Sequence, residues 1–183
     1  MLPDGTEIEL RTMAAEDRDA MLAFAQSLPA EDLLFLRIDI SQPDAVDGWI
    51  ANIEAGSTLT LVAQDPGGIV GYATIHTNPL SWTRHVGEVR VNVSPAYRSR
   101  GLGRVLTGNV FDIAHSLRLK KLTAHMTSDQ HGAQAAFRRL GFVPEALLAD
   151  YVQDRNGLTR DMVIMSFDVD GLTDQAQERV SLD

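Results

Sequence analysis

Apolar and polar residues alternate along Thr6-Glu7-Ile8-Glu9-Leu10-Arg11, the period of two that predicts a half-buried strand. The period then lengthens: between Glu16 and Leu28, Met21, Leu22, Phe24, Ala25 and Leu28 fall near one helical face, and Pro29 marks the end. A short helix is expected over Ala30–Leu36, and another over Asp44–Ala55, where Val46, Trp49, Ile50 and Ile53 recur at three-to-four spacing. Strand patterns return over Thr58–Gln64 and Ile69–Thr77, joined by the turn residues Asp65-Pro66-Gly67-Gly68, and continue over Arg84–Val93 as a third antiparallel strand. Helices near 102–118 and 131–139 enclose a strand near 121–127. Phe142–Val152 and Met162–Val169 pair across Asp154-Arg155-Asn156-Gly157.

These elements describe one mixed α/β domain over residues 3–169, followed by a peripheral tail over 170–183. No repeat or composition shift marks a linker. Because a helix joins the strands near 90 and 124, those two strands are expected to run parallel in an otherwise mostly antiparallel sheet.

The run Val91-Asn92-Val93-Ser94-Pro95-Ala96-Tyr97-Arg98-Ser99-Arg100-Gly101-Leu102-Gly103-Arg104 leaves a strand, turns through arginines and two glycines, and enters a helix. A helix start leaves backbone N–H groups unpaired and carries the positive end of the helix dipole, so this is an anion cradle. Glycine at 101 and 103 admits close approach of a ligand, and Arg98, Arg100 and Arg104 attract it. The expected ligand group is a pyrophosphate. A P-loop is excluded because Gly103 is followed by Arg104-Val105 rather than Lys-Ser/Thr, and the dinucleotide fingerprint fails because residue 106 is leucine.

Arg98-x-x-Gly101-x-Gly103 between a strand and a helix resembles the acetyl-CoA motif of the GNAT N-acetyltransferase superfamily. The resemblance runs through about residues 57 to 168 and includes Ala133, Phe137 and the closing Leu140-Gly141-Phe142. It implies a central, mostly antiparallel twisted sheet, flanked by helices, with one parallel pair splayed to form the coenzyme slot. It further implies direct transfer of an acetyl group from acetyl-CoA to an amine. Successive amides over Ser99, Arg100, Gly101, Leu102, Gly103 and Arg104 would then hold the pyrophosphate. The main chain of Val91 and Val93 would hold the pantetheine arm and polarise the thioester carbonyl. Gln130 stands where members often carry an asparagine near the coenzyme. Phe137 departs from the pattern, since many members have there a tyrosine that protonates the leaving thiolate. Tyr97, Tyr151, Ser128 or a water are the remaining donors.

Glu88 matches the position of a catalytic glutamate in many members, which implies a proton acceptor. Alternation places Glu88, Arg90 and Asn92 on one strand face, opposite Val89, Val91 and Val93, and a polar face at a strand centre points to a groove. Read from its neighbours alone, Glu88 is equally a strand-face charge paired with Arg90 or Arg84. The acceptor pocket is expected from the 28–55 region and the 146–162 hairpin.

Composition narrows the rest. There is no cysteine, which excludes an acyl-cysteine intermediate and thiolate metal sites, and the five histidines lack paired ligand spacing, so no metal is expected. A net charge of −9 disfavours nucleic acid as a partner, although five of the 16 Lys/Arg crowd around the cradle. No apolar run is long enough for a bilayer, so a cytoplasmic, membrane-free protein is expected, as monomer or homodimer. The partner is an amine-bearing small molecule or a protein lysine. Two rivals stand beside the enzyme: an acyl-CoA-binding sensor of the same fold, and a binding protein for another phosphorylated metabolite.

Overall fold

The computed structural model describes residues 2–33, 38–154 and 156–169. Strands β1 (Glu9–Thr12), β2 (Thr58–Asp65), β3 (Gly68–His76), β4 (Val86–Val93), β5 (Lys121–Thr127), β6 (Val143–Gln153) and β7 (Thr159–Asp168) form a sheet of order β1-β2-β3-β4-β5-β7-β6. Only β4 and β5 are parallel; the other neighbours run antiparallel. Helices α1 (Arg18–Ser27), α2 (Ala30–Leu33), α3 (Pro43–Glu54), α4 (Leu102–Ser116) and α5 (His131–Arg139) flank it. The expected mixed fold is therefore present. Residues 34–36 of the expected second helix, and the tail from 170, lie outside the described residues.

Two cores form because a central strand has two faces to bury. On one, Leu102, Leu106 and Val110 of α4 meet Ala73, Ile75 and Val89 of the sheet, and Phe142 joins them. Its aromatic end is closed by Phe111 stacked on Phe167 (centroids 4.5 Å apart) and Phe137 edge-on to Phe142 (5.0 Å). On the other face, Met21, Phe24 and Ala25 of α1 and Val46 and Trp49 of α3 pack on Val62 and Tyr72. The Trp49 indole N–H donates to Thr60 Oγ1 at 2.9 Å, Thr60 to Thr74 Oγ1 at 3.0 Å and Thr74 to the Leu59 carbonyl at 3.0 Å, so this buried polar line is satisfied.

Close contact between α4 and the sheet rests on Gly71. A Cβ there would lie 3.0 Å from the Asn92 carbonyl oxygen and 3.3 Å from Leu102 Cδ2. Gly71→Ala is expected to lower stability by about 1–3 kcal/mol through overpacking. Gly108→Ala, whose Cβ would enter open space on the same helix, is expected to be neutral or stabilising by up to about 1 kcal/mol. Paired urea denaturation curves check the contrast.

The amino-terminal segment is tied down by carboxylates. Arg11 donates to both oxygens of buried Asp17 at 2.6 Å, which holds that carboxyl below its usual range; burial pushes the other way, and the Ala14 N–H supports the charged form. Hydrogen bonds from the Thr6 backbone and hydroxyl, then Arg100, bring Asp4 from 3.8 to about 2. Both values are depressed on folding, so their stabilisation is complete above the unfolded value near 3.8 and is lost as pH falls through the folded values. Unfolding free energy should decline between about pH 4 and pH 2, and Asp4→Asn should flatten part of that decline in an acid denaturation series.

Candidate active site

β4 and β5 pair only at Val86–Lys121, Gly87–Leu122 and Glu88–Thr123, then part. β4 stays bonded to β3 as far as Val93, and β5 to β7 as far as Thr127, so each strand is held by its outer neighbour while the inner edges open. The edges can be assigned from hydrogen bonds. Ser94 N–H donates to Val70 of β3, whereas the His85 carbonyl accepts from Lys120 and Lys121 on the β5 side. Main-chain groups alternate sides along a strand, so those of Val89, Val91 and Val93 point into the opening. The Val93 carbonyl there accepts from Arg98 Nε at 3.1 Å.

The opening holds a cavity of about 680 Å³. β4 lines it with Glu88 through Asn92, β5 with Ala124 through Thr127, and α5 with Ala133 and Phe137, preceded by Gln130 at its N-cap. The β6–β7 hairpin closes another side through Leu148, Tyr151–Asp154, Arg160 and Met162, and from the 28–55 region Asp32 contributes. Of the sequence-predicted residues, Glu88, Val91, Gln130 and Phe137 therefore line one cavity. Val93 and the loop 98–104 lie beside it, outside its lining.

At the fork Glu88 is largely buried, with 17% of its side chain exposed. Arg90 donates to its Oε1 from Nε at 3.1 Å and Nη2 at 2.6 Å. The strand-face pairing with Arg90 is thus real, and it sits inside the cavity. On the facing strand His125 Nδ1 stands 3.9 Å from Glu88 Oε2. Sequence reading weighed His125 only as a metal ligand and missed it here; its alternation with Ala124 and Met126 on a strand parallel to β4 is the signal that would have found it.

The cradle is built as a nest. After a 3₁₀ turn at Pro95–Tyr97, Ser99 (φ 60°) and Gly101 (φ 91°) take left-handed conformations, and α4 begins at Leu102. The first amide of the helix to find a carbonyl is that of Val105, on Gly101. Among the described residues, no acceptor meets the amides of Ser99, Arg100, Gly101, Leu102, Gly103 and Arg104. A Cβ at Gly103 would meet only Val93 Cγ2, at 3.9 Å, so packing within the chain does not require glycine there. Donors without acceptors beside an open approach fit a diphosphate.

Two of the three arginines are engaged elsewhere. Arg98 pairs with Asp32, and Arg100 donates to Asp4 Oδ2 at 2.6 Å and Thr6 Oγ1 at 2.5 Å while lying over the Tyr97 ring. Arg104 is exposed. Tyr97 donates its hydroxyl to Asp65, which raises its pKa, so it is committed away from the cavity. Of the side chains considered as proton donors, Tyr151 lines the cavity. Gln130 occupies the N-cap position of α5, and its Oε1 accepts from Thr127 N–H at 3.0 Å. Among the described residues, no group of three His, Asp or Glu is placed to hold a metal ion, and no helix is long and apolar enough to cross a membrane.

The profile of the acetyltransferase (GNAT) family matches residues 19–142, well over half of the chain. The chain belongs to this family. A streptothricin acetyltransferase of Streptomyces lavendulae is 28% identical over 99 residues, covering 54% of this chain, and an uncharacterized protein of Mycobacterium leprae is 37% identical over 78 residues, covering 40%. The matched stretches span 51% and 20% of those relatives' lengths. Among solved structures, yncA of Salmonella typhimurium, with its cofactor acetyl-CoA, has a TM-score of 0.75 at 21% identity, covering 90% of this chain and 95% of that one. A ribosomal-protein-alanine N-acetyltransferase from Brucella melitensis has a TM-score of 0.76 at 23% identity, covering 87% and 99%. At these identities the structural likeness speaks for the GNAT fold, and the profile speaks for the family.

Proposed function

We propose that this GNAT-family chain transfers an acetyl group from acetyl-CoA directly to an amine, borne by a small molecule or a protein lysine. The observation that carries the reading is the row of amides from Ser99 to Arg104 that find no acceptor among the described residues, beside an opened strand pair. When bound, acetyl-CoA supplies an activated acetyl thioester. The loop amides would hold its diphosphate, with Arg104 and the displaceable Arg98 and Arg100 adding attraction. The main chain of Val91 and Val93 would hold the pantetheine arm, and Gln130 and Phe137 border the same space. Support for a small-molecule acceptor comes from the name of the Streptomyces relative, and support for a protein amine from that of the Brucella structure.

Two proton transfers of unequal difficulty are needed. An alkylammonium of pKa about 10.4 must become neutral, whereas a thiolate of pKa about 8.5 leaves with little help. Glu88 serves the first, because it lines the cavity, is mostly shielded from solvent and is oriented through one oxygen by Arg90. Phe137 has no proton to give and packs on Phe142. That residue is the one observation favouring a non-catalytic acyl-CoA sensor instead. Holding both reactants in one cavity supplies much of the acceleration, since effective molarities reach about 10⁵–10⁸ M in well-oriented systems.

Two measurements test this reading. Gly103→Ala is expected to leave thermal stability unchanged or raised, because the added methyl makes only an ordinary contact with Val93 at 3.9 Å and alanine favours helix, yet to weaken coenzyme A binding at least about tenfold by calorimetry. Glu88→Gln is expected to lower turnover by about 10²-fold or more at saturating amine in a thiol-release assay, with coenzyme A affinity preserved. Coenzyme A binding without turnover on any amine of a broad panel would establish the sensor.

A further inference from the structure

Resting on the acetyl-transfer reading, we propose that His125 is the second member of a proton relay that begins at Glu88, taking up the proton that Glu88 removes from the amine and passing it to solvent. The fork sets the geometry. Glu88 faces Thr123 at the last paired position, and His125 lies two residues farther along β5, so alternation returns its side chain to the face that carries Glu88 and Arg90. Arg90 binds Oε1 through both nitrogens, and it is the other oxygen, Oε2, that looks toward His125 Nδ1 at 3.9 Å. That separation lies just beyond direct hydrogen-bond reach, and a small ring rotation closes it. The His125 side chain is 31% exposed against 17% for Glu88, so the pair runs from the shielded fork outward.

Energetics make the second member useful. A guanidinium beside a carboxylate favours its charged form and weakens it as a base. Against an alkylammonium near 10.4, an imidazole near 6.5 is a better resting place for a proton than a carboxylate near 4.3, by about 100-fold in equilibrium. The amine nitrogen loses two protons overall. The first leaves the ammonium before attack; the second leaves as the C–N bond forms and the C–S bond breaks. Each passes through Glu88 Oε2 to Nδ1 of His125 and departs from Nε2, and between the two transfers exchange of the ring N–H with solvent restores the Nε2–H tautomer that accepts again at Nδ1. One proton ends on the released thiolate, by way of water, and the other in bulk solvent, so Phe137 needs no hydroxyl. The other charged or titratable groups facing this cavity are Asp32, tied to Arg98; Tyr72, which burial pushes to about 12; Arg90; Tyr151; Asp154, held low by backbone N–H groups and Arg160; and Arg160 itself. Phenols and guanidinium groups titrate well above the imidazole range.

The test reads the pair both with and without turnover. The His125 imidazole titration is followed by NMR in the wild type and in Glu88→Gln; loss of the facing carboxylate should lower its midpoint by at least about half a unit. The pH profile of turnover is then compared with that of His125→Gln, in which turnover should fall about 10-fold to 100-fold, the acidic limb in the imidazole range should disappear, and the KM for acetyl-CoA should hold. An unmoved imidazole midpoint overturns the relay even where the enzyme is active, as does a variant that keeps the wild-type acidic limb. A shifted midpoint in a protein that turns over no amine overturns the acetyl-transfer reading instead, and the catalytic role of the pair with it.

Discussion

Everything at the site follows from the hydrogen bonds that β4 and β5 do not make. A parallel pair that continued past Glu88–Thr123 would satisfy the Val89 carbonyl and the inward main chain of Val91 and close the slot. Each strand is instead anchored on its outer side, β4 by β3 and β5 by β7, so the cost of the unpaired edge is borne by a sheet that is otherwise complete. Buried polar groups that the fold leaves unpaired demand a partner. Here they line the side of a cavity whose walls carry one ion-paired glutamate and one histidine, and a ligand that brings its own amides and carbonyls is the natural partner.

The helix α4 extends this logic from the slot to the loop. Its apolar face is drawn against the sheet through Gly71, which fixes where its first turn stands relative to the end of β4. The left-handed residues Ser99 and Gly101 then rotate successive N–H groups toward one side before the helix begins. Packing on one face of the sheet thus sets the position of this row of main-chain N–H groups at its end.

Much of this was legible in the chain. The strand at 121–127 and the helix at 131–139 have the bounds their periodicity gives, and the parallel pair follows from the helix that joins its strands. The cradle was legible because glycine, arginine and a strand-to-helix break sit together in sequence. Positions that depend on partners distant in the chain were not. Nothing near Arg100 announces Asp4, 96 residues away, and nothing near Arg98 announces Asp32. β7 lies between β5 and β6, and the shift in register between Leu148 and Val152 that accompanies Asp150 (φ 49°) has no turn residue to signal it. His125 was hidden for the same reason: its meaning comes from the strand beside it.

Arg98 and Arg100 illustrate how a strongly acidic chain would present the proposed anion site. Against a net charge of −9, a bare cluster of guanidinium groups would be drawn to the protein's own carboxylates, and two of them are. These pairs are partly exposed and so are worth little individually. A diphosphate bound as proposed would bring more charge than either carboxylate and accept from the main-chain amides as well, so it would displace Asp4 and Asp32 from the arginines without the loop having to be rebuilt. Main-chain donors, which no internal carboxylate occupies, then supply the shape of the site, while the arginines supply attraction that a competing acid tempers. At the fork, likewise, Arg90 holds Oε1 of Glu88 while Oε2 faces His125.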